Sequence, residues 1–248
     1  GTNNIAIGFG AFDAADAGED DCIAIGLNAL GNLNHASSVR NIAIGSGSGD
    51  GMGTLAGSID NIFLGHDAGG GTWATAVSSY NVGIGNYVMD AAMNGALNNV
   101  GVGYNVLSAL TTGDNNTAVG YASLTANTTG HSHTAVGFEA LKANTTAVEN
   151  SAFGYQSLTA NTSGTGNTAL GRKTLFTNTS GGQLVAVGQG ALLANTSGDY
   201  SVAVGYDALV ANTTADNNTA VGYHALTANT TGDRNVAVGA LALDANIG

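Results

Sequence analysis

Three groups of side chains in this 248-residue chain could do chemistry. Asp13, Asp16, Glu19, Asp20 and Asp21 crowd five carboxylates into one short stretch. Carboxylate oxygens at that density can ligate a hard cation such as calcium, but the fixed ligand spacing of a calcium loop is missing. A solvated acidic turn is the competing reading. His131 and His133 flank Ser132. On a strand, residues i and i+2 share a face, so around a threefold axis six imidazoles could hold one transition metal. The alternative makes His133 a neutral hydrogen-bonding residue. Trp73, the only Trp, closes the glycine-rich run Gly69-Gly70-Gly71-Thr72-Trp73. It could stack on a sugar ring of a cell-surface glycan, or pack over its own loop. No Ser-His-Asp arrangement, metalloprotease helix or phosphate-binding loop is present, and the glycines lack a strand–loop–helix setting. The expectation is a protein that is not an enzyme and needs no cofactor.

The elements that carry these residues are set by a repeat. A short apolar core ending in glycine recurs at Gly8, Gly26, Gly45, Gly65, Gly85, Gly103, Gly120, Gly137, Gly154, Gly171, Gly188, Gly205, Gly222 and Gly239. The spacings are 18, 19, 20, 20 and 18, and then 17 eight times. A fixed short period of this kind is the signature of a solenoid whose units stack on their neighbours. The fold class expected is therefore all-β, a parallel β-solenoid of about 14 rungs. Residues 1–98 form an irregular segment with longer loops, and 99–248 a regular one, in one continuous solenoid.

Before each glycine the residues alternate with period two, as in Thr117-Ala118-Val119, which reads as a short strand with two unlike faces. The residue next to the glycine is always large and apolar: Ile7, Ile25, Ile44, Leu64, Ile84, Val102, Val119, Val136, Phe153, Leu170, Val187, Val204, Val221 and Val238. The opposite face is Asn, Ala or Gly. After the glycine comes a ring or polar residue, then a small residue and Leu, then Ala and Asn, as in Leu124 to Asn127. This second segment lacks β-branched residues. It reads as a single helical turn ended by a left-handed Asn, or as a second short strand. Asn at a fixed slot should stack into amide ladders.

A narrow coil suits an Ala/Gly interior, with the Val/Ile row pointing out. An apolar row that long is seldom left exposed, and packing it around a threefold axis would bury it in closed symmetry, so a homotrimer is expected. The opposite arrangement, with Val/Ile inside, stays open at this point. Composition sets further bounds. The formal net charge is -12, with five basic residues, and charged residues are 9% of the chain. No basic stripe exists to neutralise phosphates, which disfavours nucleic acid, and no apolar run is long enough to span a bilayer. Cys22 is alone and sits in a slot where other repeats have Asn, which suggests packing. The chain begins in mid-repeat and reads as an excerpt from a longer protein. The many Asn-x-Ser/Thr triplets, such as Asn127-Thr128-Thr129, arise from the repeat itself and are read as turns.

The strand core resembles the Ser-Val-Ala-Ile-Gly repeat of trimeric autotransporter adhesin heads. The full unit, here Asn218 to Gly232, looks even more like repeats in phage and bacterial tail-fibre-like proteins. The resemblance covers nearly the whole chain, although the adhesin-head repeat is shorter. It implies a left-handed β-roll assembled as a trimer, and an extracellular location on a virion fibre or cell surface. The implied role is a structural or adhesive fibre segment that spaces or presents a receptor-binding surface. Family members often end in a self-cleaving chaperone domain, which this chain does not carry. Two alternatives remain: a self-assembling filament subunit, and an ice-binding solenoid displaying the rank Thr128, Thr145, Thr162, Thr179, Thr196, Thr213 and Thr230.

Overall fold

The computed structural model describes residues 1–15, 18–53, 57–73 and 76–247. Two compact units are present, Gly1–Gly130 and His131–Gly248. The change from irregular to regular spacing at residue 98 falls inside the first unit. That unit carries β1 (Ile5–Ile7), β2 (Ile23–Ile25), β3 (Ile42–Ile44), β4 (Ile62–Leu64), β5 (Val82–Ile84), β6 (Val100–Val102) and β7 (Thr117–Val119). The second carries β8 (Thr134–Val136), β9 (Ser151–Phe153), β10 (Thr168–Leu170), β11 (Val185–Val187), β12 (Val202–Val204), β13 (Thr219–Val221) and β14 (Val236–Val238).

Within each unit, successive strands pair in parallel and in sequence order. The register matches slot to slot, as in Ile5 with Ile23 and Thr168 with Val185. Each unit is a β-solenoid built from one repeated rung. The middle residue of every strand but β1 is buried, and it is usually Ala or Gly. The small-residue face is therefore the inside. Backbones can approach closely there, and the branched side chains on either side of it are turned outward.

The Leu-bearing segment is neither a helical turn nor a second strand. No helix occurs among the described residues. The segment is a run of tight turns in which two positions of each rung, two and four residues past the glycine, have left-handed backbone. Gln156 and Leu158 (φ 53° and 52°) and Asp207 and Leu209 (φ 49° and 53°) are examples. Asn161, expected to carry the left-handed turn, does not; the preceding Leu does. A helix would satisfy these N–H groups within its own segment. Here Gln156 N donates to Phe138 O at 2.8 Å and Leu158 N to Thr174 O at 3.0 Å, so the bonds run to the rungs on either side. Left-handed backbone costs a Leu about 1–2 kcal/mol. Full burial of its side chain returns about 1.5–3 kcal/mol, and Leu124, Leu141, Leu158, Leu175, Leu192, Leu209 and Leu226 are all fully buried.

Polar groups inside the coil are joined by two amide ladders. In the first, the Asn that precedes most strands uses its Oδ1 to cap the next rung. Asn81 N and Nδ2 donate to Asn61 Oδ1 at 3.0 and 3.1 Å, and Asn167 N donates to Asn150 Oδ1 at 2.9 Å. In the second, Asn178 Nδ2 donates to Asn161 Oδ1 at 3.0 Å and to Gly181 O at 2.9 Å. Asn195 repeats the pattern onto Asn178 at 2.8 Å. Buried amides satisfied in this way avoid a penalty of about 1–3 kcal/mol per unmade bond.

The glycine that ends each strand is demanded twice over. Gly154 has φ 133°, and a Cβ there would run into the carbonyl of Gly171 on the next rung. Gly166 (φ 68°), by contrast, has nothing nearer than Gln183 Cγ at 3.5 Å to its missing Cβ. Gly154→Ala should therefore destabilise the protein by about 4 kcal/mol or more in denaturant unfolding, beyond backbone strain alone. Gly166→Ala should cost about 1 kcal/mol. Equal losses would refute the rung-contact explanation.

Candidate functional site: the outward face of the strands

Because the middle residue of each strand points in, its neighbours point out. All fourteen residues preceding the strand-end glycines, from Ile7 to Val238, are half-buried or exposed, and none is buried. Ile44, Ile84, Phe153 and Leu170 are among the most open of them. The first residue of each strand, such as Val185, adds a second outward column. Just past the glycine runs a third, rich in rings: Tyr104 and Tyr121 in the first unit, Phe138, Tyr155, Tyr206 and Tyr223 in the second, all exposed. Neighbouring rings stack: Tyr104 on Tyr121 at 5.5 Å, Phe138 on Tyr155 at 5.2 Å, and Tyr206 on Tyr223 at 5.7 Å between centroids. The Arg172 guanidinium lies 5.9 Å from the Tyr155 ring centre. This ring column was visible in the sequence only as an alternation of ring and polar residues.

The residues singled out for chemistry are placed differently from their sequence expectations. Trp73 is buried, not displayed. Its ring meets Phe63 edge-on at 5.7 Å, and its backbone bridges to Met52. Its Nε1 has no hydrogen-bond partner. Its ring is thus enclosed by the protein, and a sugar ring cannot lie on it.

The acidic stretch is dispersed. Asp20 accepts from the Thr2 backbone N–H and hydroxyl, and the Thr2 amide bond holds its carboxyl below the usual range. Asp21 accepts from Asn3 Nδ2 at 3.0 Å. Glu19 is buried, with one carboxylate oxygen unpartnered. Asp13 lines a shallow groove of about 300 Å³ with Phe9, Asn28, Asn32 and Asp50. Asp16 lies outside the described residues. Among the described residues, no group of three or more His, Cys, Asp or Glu side chains is placed to hold a metal ion. Cys22 is buried, its thiol 3.5 Å from Asp20 O, and burial pushes its pKa up.

His131 and His133 do not share a face. Ser132 between them has φ 60°, so the backbone turns rather than extends. His131 is exposed, with Nδ1 3.3 Å from the Ser132 hydroxyl. His133 is buried and takes an Asn slot of the first amide ladder. Asn150 N–H donates to its Nδ1 at 3.2 Å, so Nε2 carries the proton and donates to Ala147 O at 2.7 Å. Both nitrogens are engaged in holding rungs together.

Two surface readings also meet the hydrogen-bond pattern. Thr162, Thr179, Thr196, Thr213 and Thr230 each donate their hydroxyl proton to a carbonyl of the next rung, at 3.0 to 3.2 Å. The rank is therefore part of the solenoid's internal bonding. Asn127, Asn161 and Asn229, each opening an Asn-x-Ser/Thr triplet, are fully buried, and each Nδ2 donates to the carbonyl three residues on at 2.9 Å. A glycan on those nitrogens is incompatible with the folded rung. No helix among the described residues is long and apolar enough to cross a membrane. No family model matches the chain, and no curated protein or solved structure matches it.

Burial pushes the His133 imidazole down from 6.5 to about 4. Unfolding restores the ordinary value, so between these limits the unfolded chain binds a proton that the folded chain refuses. The imidazole's contribution is complete above pH 6.5 and is lost as pH falls toward 4, up to about 3 kcal/mol. His133→Asn, which restores the ladder residue, should flatten the fall in unfolding free energy between pH 6.5 and 4.5. An unchanged slope would show that His133 is not the acid-labile group.

Proposed function

We propose that this chain is a structural and adhesive segment of a trimeric extracellular fibre, a tail fibre or a cell-surface adhesin. In this role its solenoid spaces or presents a receptor-binding surface, and it turns over no substrate. The observation that carries the reading is the outward row of apolar side chains in each unit, repeated on every rung and left half-buried or exposed by the coil's own packing. Nothing inside the rung can cover it, since the interior is filled by Ala, Gly, Leu and the amide ladders. Such a row is stable in water when copies of the same chain bury it against one another. A threefold axis closes that contact without leaving a sticky edge. The repeat's resemblance to adhesin heads and tail-fibre proteins supports the count of three and a left-handed coil. The low charge and regular rungs also suit a spacer better than a recognition cleft.

The committed hydroxyl protons of the Thr rank leave the ice-binding alternative without support of its own. Light scattering coupled to size-exclusion chromatography tests the assembly directly. The intact protein should elute as three chains. Val187→Lys with Val204→Lys should give single chains with unchanged circular dichroism, because both residues point away from the coil interior. A wild-type chain that is monomeric at micromolar concentration would remove the proposal.

A further inference from the structure

Eight tyrosines occur in the chain. Four of them meet in two like pairs. Tyr104 and Tyr121 stand at the same slot of successive rungs in the first unit, with ring centroids 5.5 Å apart and planes inclined by 7°. Tyr206 and Tyr223 repeat this in the second unit, at 5.7 Å and 19°. Centroids this close with planes this nearly parallel leave the rings as offset, overlapping plates rather than side by side. The rings are also open to solution: Tyr104 is 47% exposed, Tyr121 49%, Tyr206 44% and Tyr223 54%. Their backbones are fixed to each other's rungs. Ala122 N donates to Tyr104 O at 2.9 Å, and His224 N to Tyr206 O at 3.0 Å. The pairing is therefore imposed by the solenoid and needs no chance encounter.

We propose that Tyr104–Tyr121 and Tyr206–Tyr223 are oxidative cross-linking sites, each converted to dityrosine by a peroxide-driven one-electron oxidant of the haem peroxidase class. Each phenol gives up one electron and one proton to become a phenoxyl radical. The two radicals join through the ring carbons ortho to oxygen, and the hydrogen on each joined carbon moves to its oxygen to restore the phenol. The pair loses two protons and two electrons in all. One hydrogen peroxide accepts them and leaves as two waters. Holding the two radicals on adjacent rungs makes their combination intramolecular, with the high effective concentration that such placement confers. The product bolts one rung to the next by a carbon–carbon bond, at sites the hydrogen-bond ladders already align.

The remaining tyrosines set the specificity. Tyr80 and Tyr200 are exposed, and neither meets another ring among the described residues. Tyr155 stacks on Phe138, which cannot form a phenoxyl radical. Tyr87 meets Tyr104 at 81°, edge to face, without the parallel overlap of the two like pairs.

The test is oxidation of the full chain by horseradish peroxidase and hydrogen peroxide at low protein concentration. The readouts are dityrosine fluorescence and mass mapping of tryptic peptides 41–142 and 174–234. Each peptide should lose two hydrogens without joining another chain. Tyr104→Phe and Tyr223→Phe keep the stacked rings but remove one phenol from each pair. Together they should bring intrachain dityrosine down to the level of the chain unfolded in guanidinium. Tyr80→Phe with Tyr200→Phe should leave the yield unchanged. Equal yields from folded and unfolded chains would overturn the proposal, as would bonds mapped to Tyr80 or Tyr200, or bonds found only between chains.

Discussion

Each peptide group that points along the coil axis must find its partner at a fixed slot of the adjacent rung. That constraint governs nearly everything else in the molecule. The left-handed backbone of Leu158 looks wasteful when judged locally, yet it aims the Leu158 N–H at Thr174 O in the next rung. The strand-end glycines obey the same rule, because adjacent rungs come so close that no Cβ fits between them. Once one rung accepts this geometry its neighbour must copy it, since a rung in any other conformation would strand the donors of the rung beside it. The repetition in the sequence is the trace of that copying.

This explains what could be read from the sequence. The glycine spacing gave the number of rungs, and the alternation in Thr117-Ala118-Val119 gave the strands and their two faces. Both depend only on slot and period. The shape of the Leu segment was not legible, because Ala, Leu and Asn have local preferences that point to a helical turn. The axial hydrogen bonds override those preferences, and they belong to neighbouring rungs rather than to the segment. His133 shows the same limit. Its flanking position to Ser132 suggested a shared face with His131, but the backbone at Ser132 is left-handed (φ 60°) and turns one ring inward. The Asn slot it occupies was the better guide. For Trp73, the glycine-rich setting suggested display, whereas its ring meets Phe63 from the strand of its own rung and its backbone bridges to Met52 of the rung before.

A coil stabilised in this way has an unusual division of labour. Its interior is satisfied by small residues, Leu and stacked amides, and so makes no demand on the branched side chains at the ends of each strand. In an ordinary domain Ile44 or Leu170 would be drawn into a core. Here they are left over, each in the outward column of its own unit. The low charge content follows from the same cause. Surface ion pairs contribute little singly, and the described ones, Arg40 with Asp60 and Lys142 with Glu139, only decorate rungs already joined by amides. Tethering side chains to one slot also explains how exposed rings stay stacked without being buried.

The irregular rungs of the first unit show how far the pattern can bend. Phe63 occupies the inward slot that is Ala in most rungs, and it is fully buried. Two neighbours make room for it. Gly83 takes the same slot on the following rung, where a Cβ would lie 2.8 Å from the Phe63 ring. Gly69 takes the position where regular rungs have Leu, and a Cβ there would also lie 2.8 Å from that ring. One large side chain thus replaces the volume of a Leu and two methyl groups, while the backbone hydrogen bonds continue: Gly69 N still donates to Val88 O at 2.9 Å. Volume in the core is conserved across rungs rather than within each one. A rung can therefore change its core volume only in concert with the rungs it touches, as β4 and β5 do at Phe63 and Gly83.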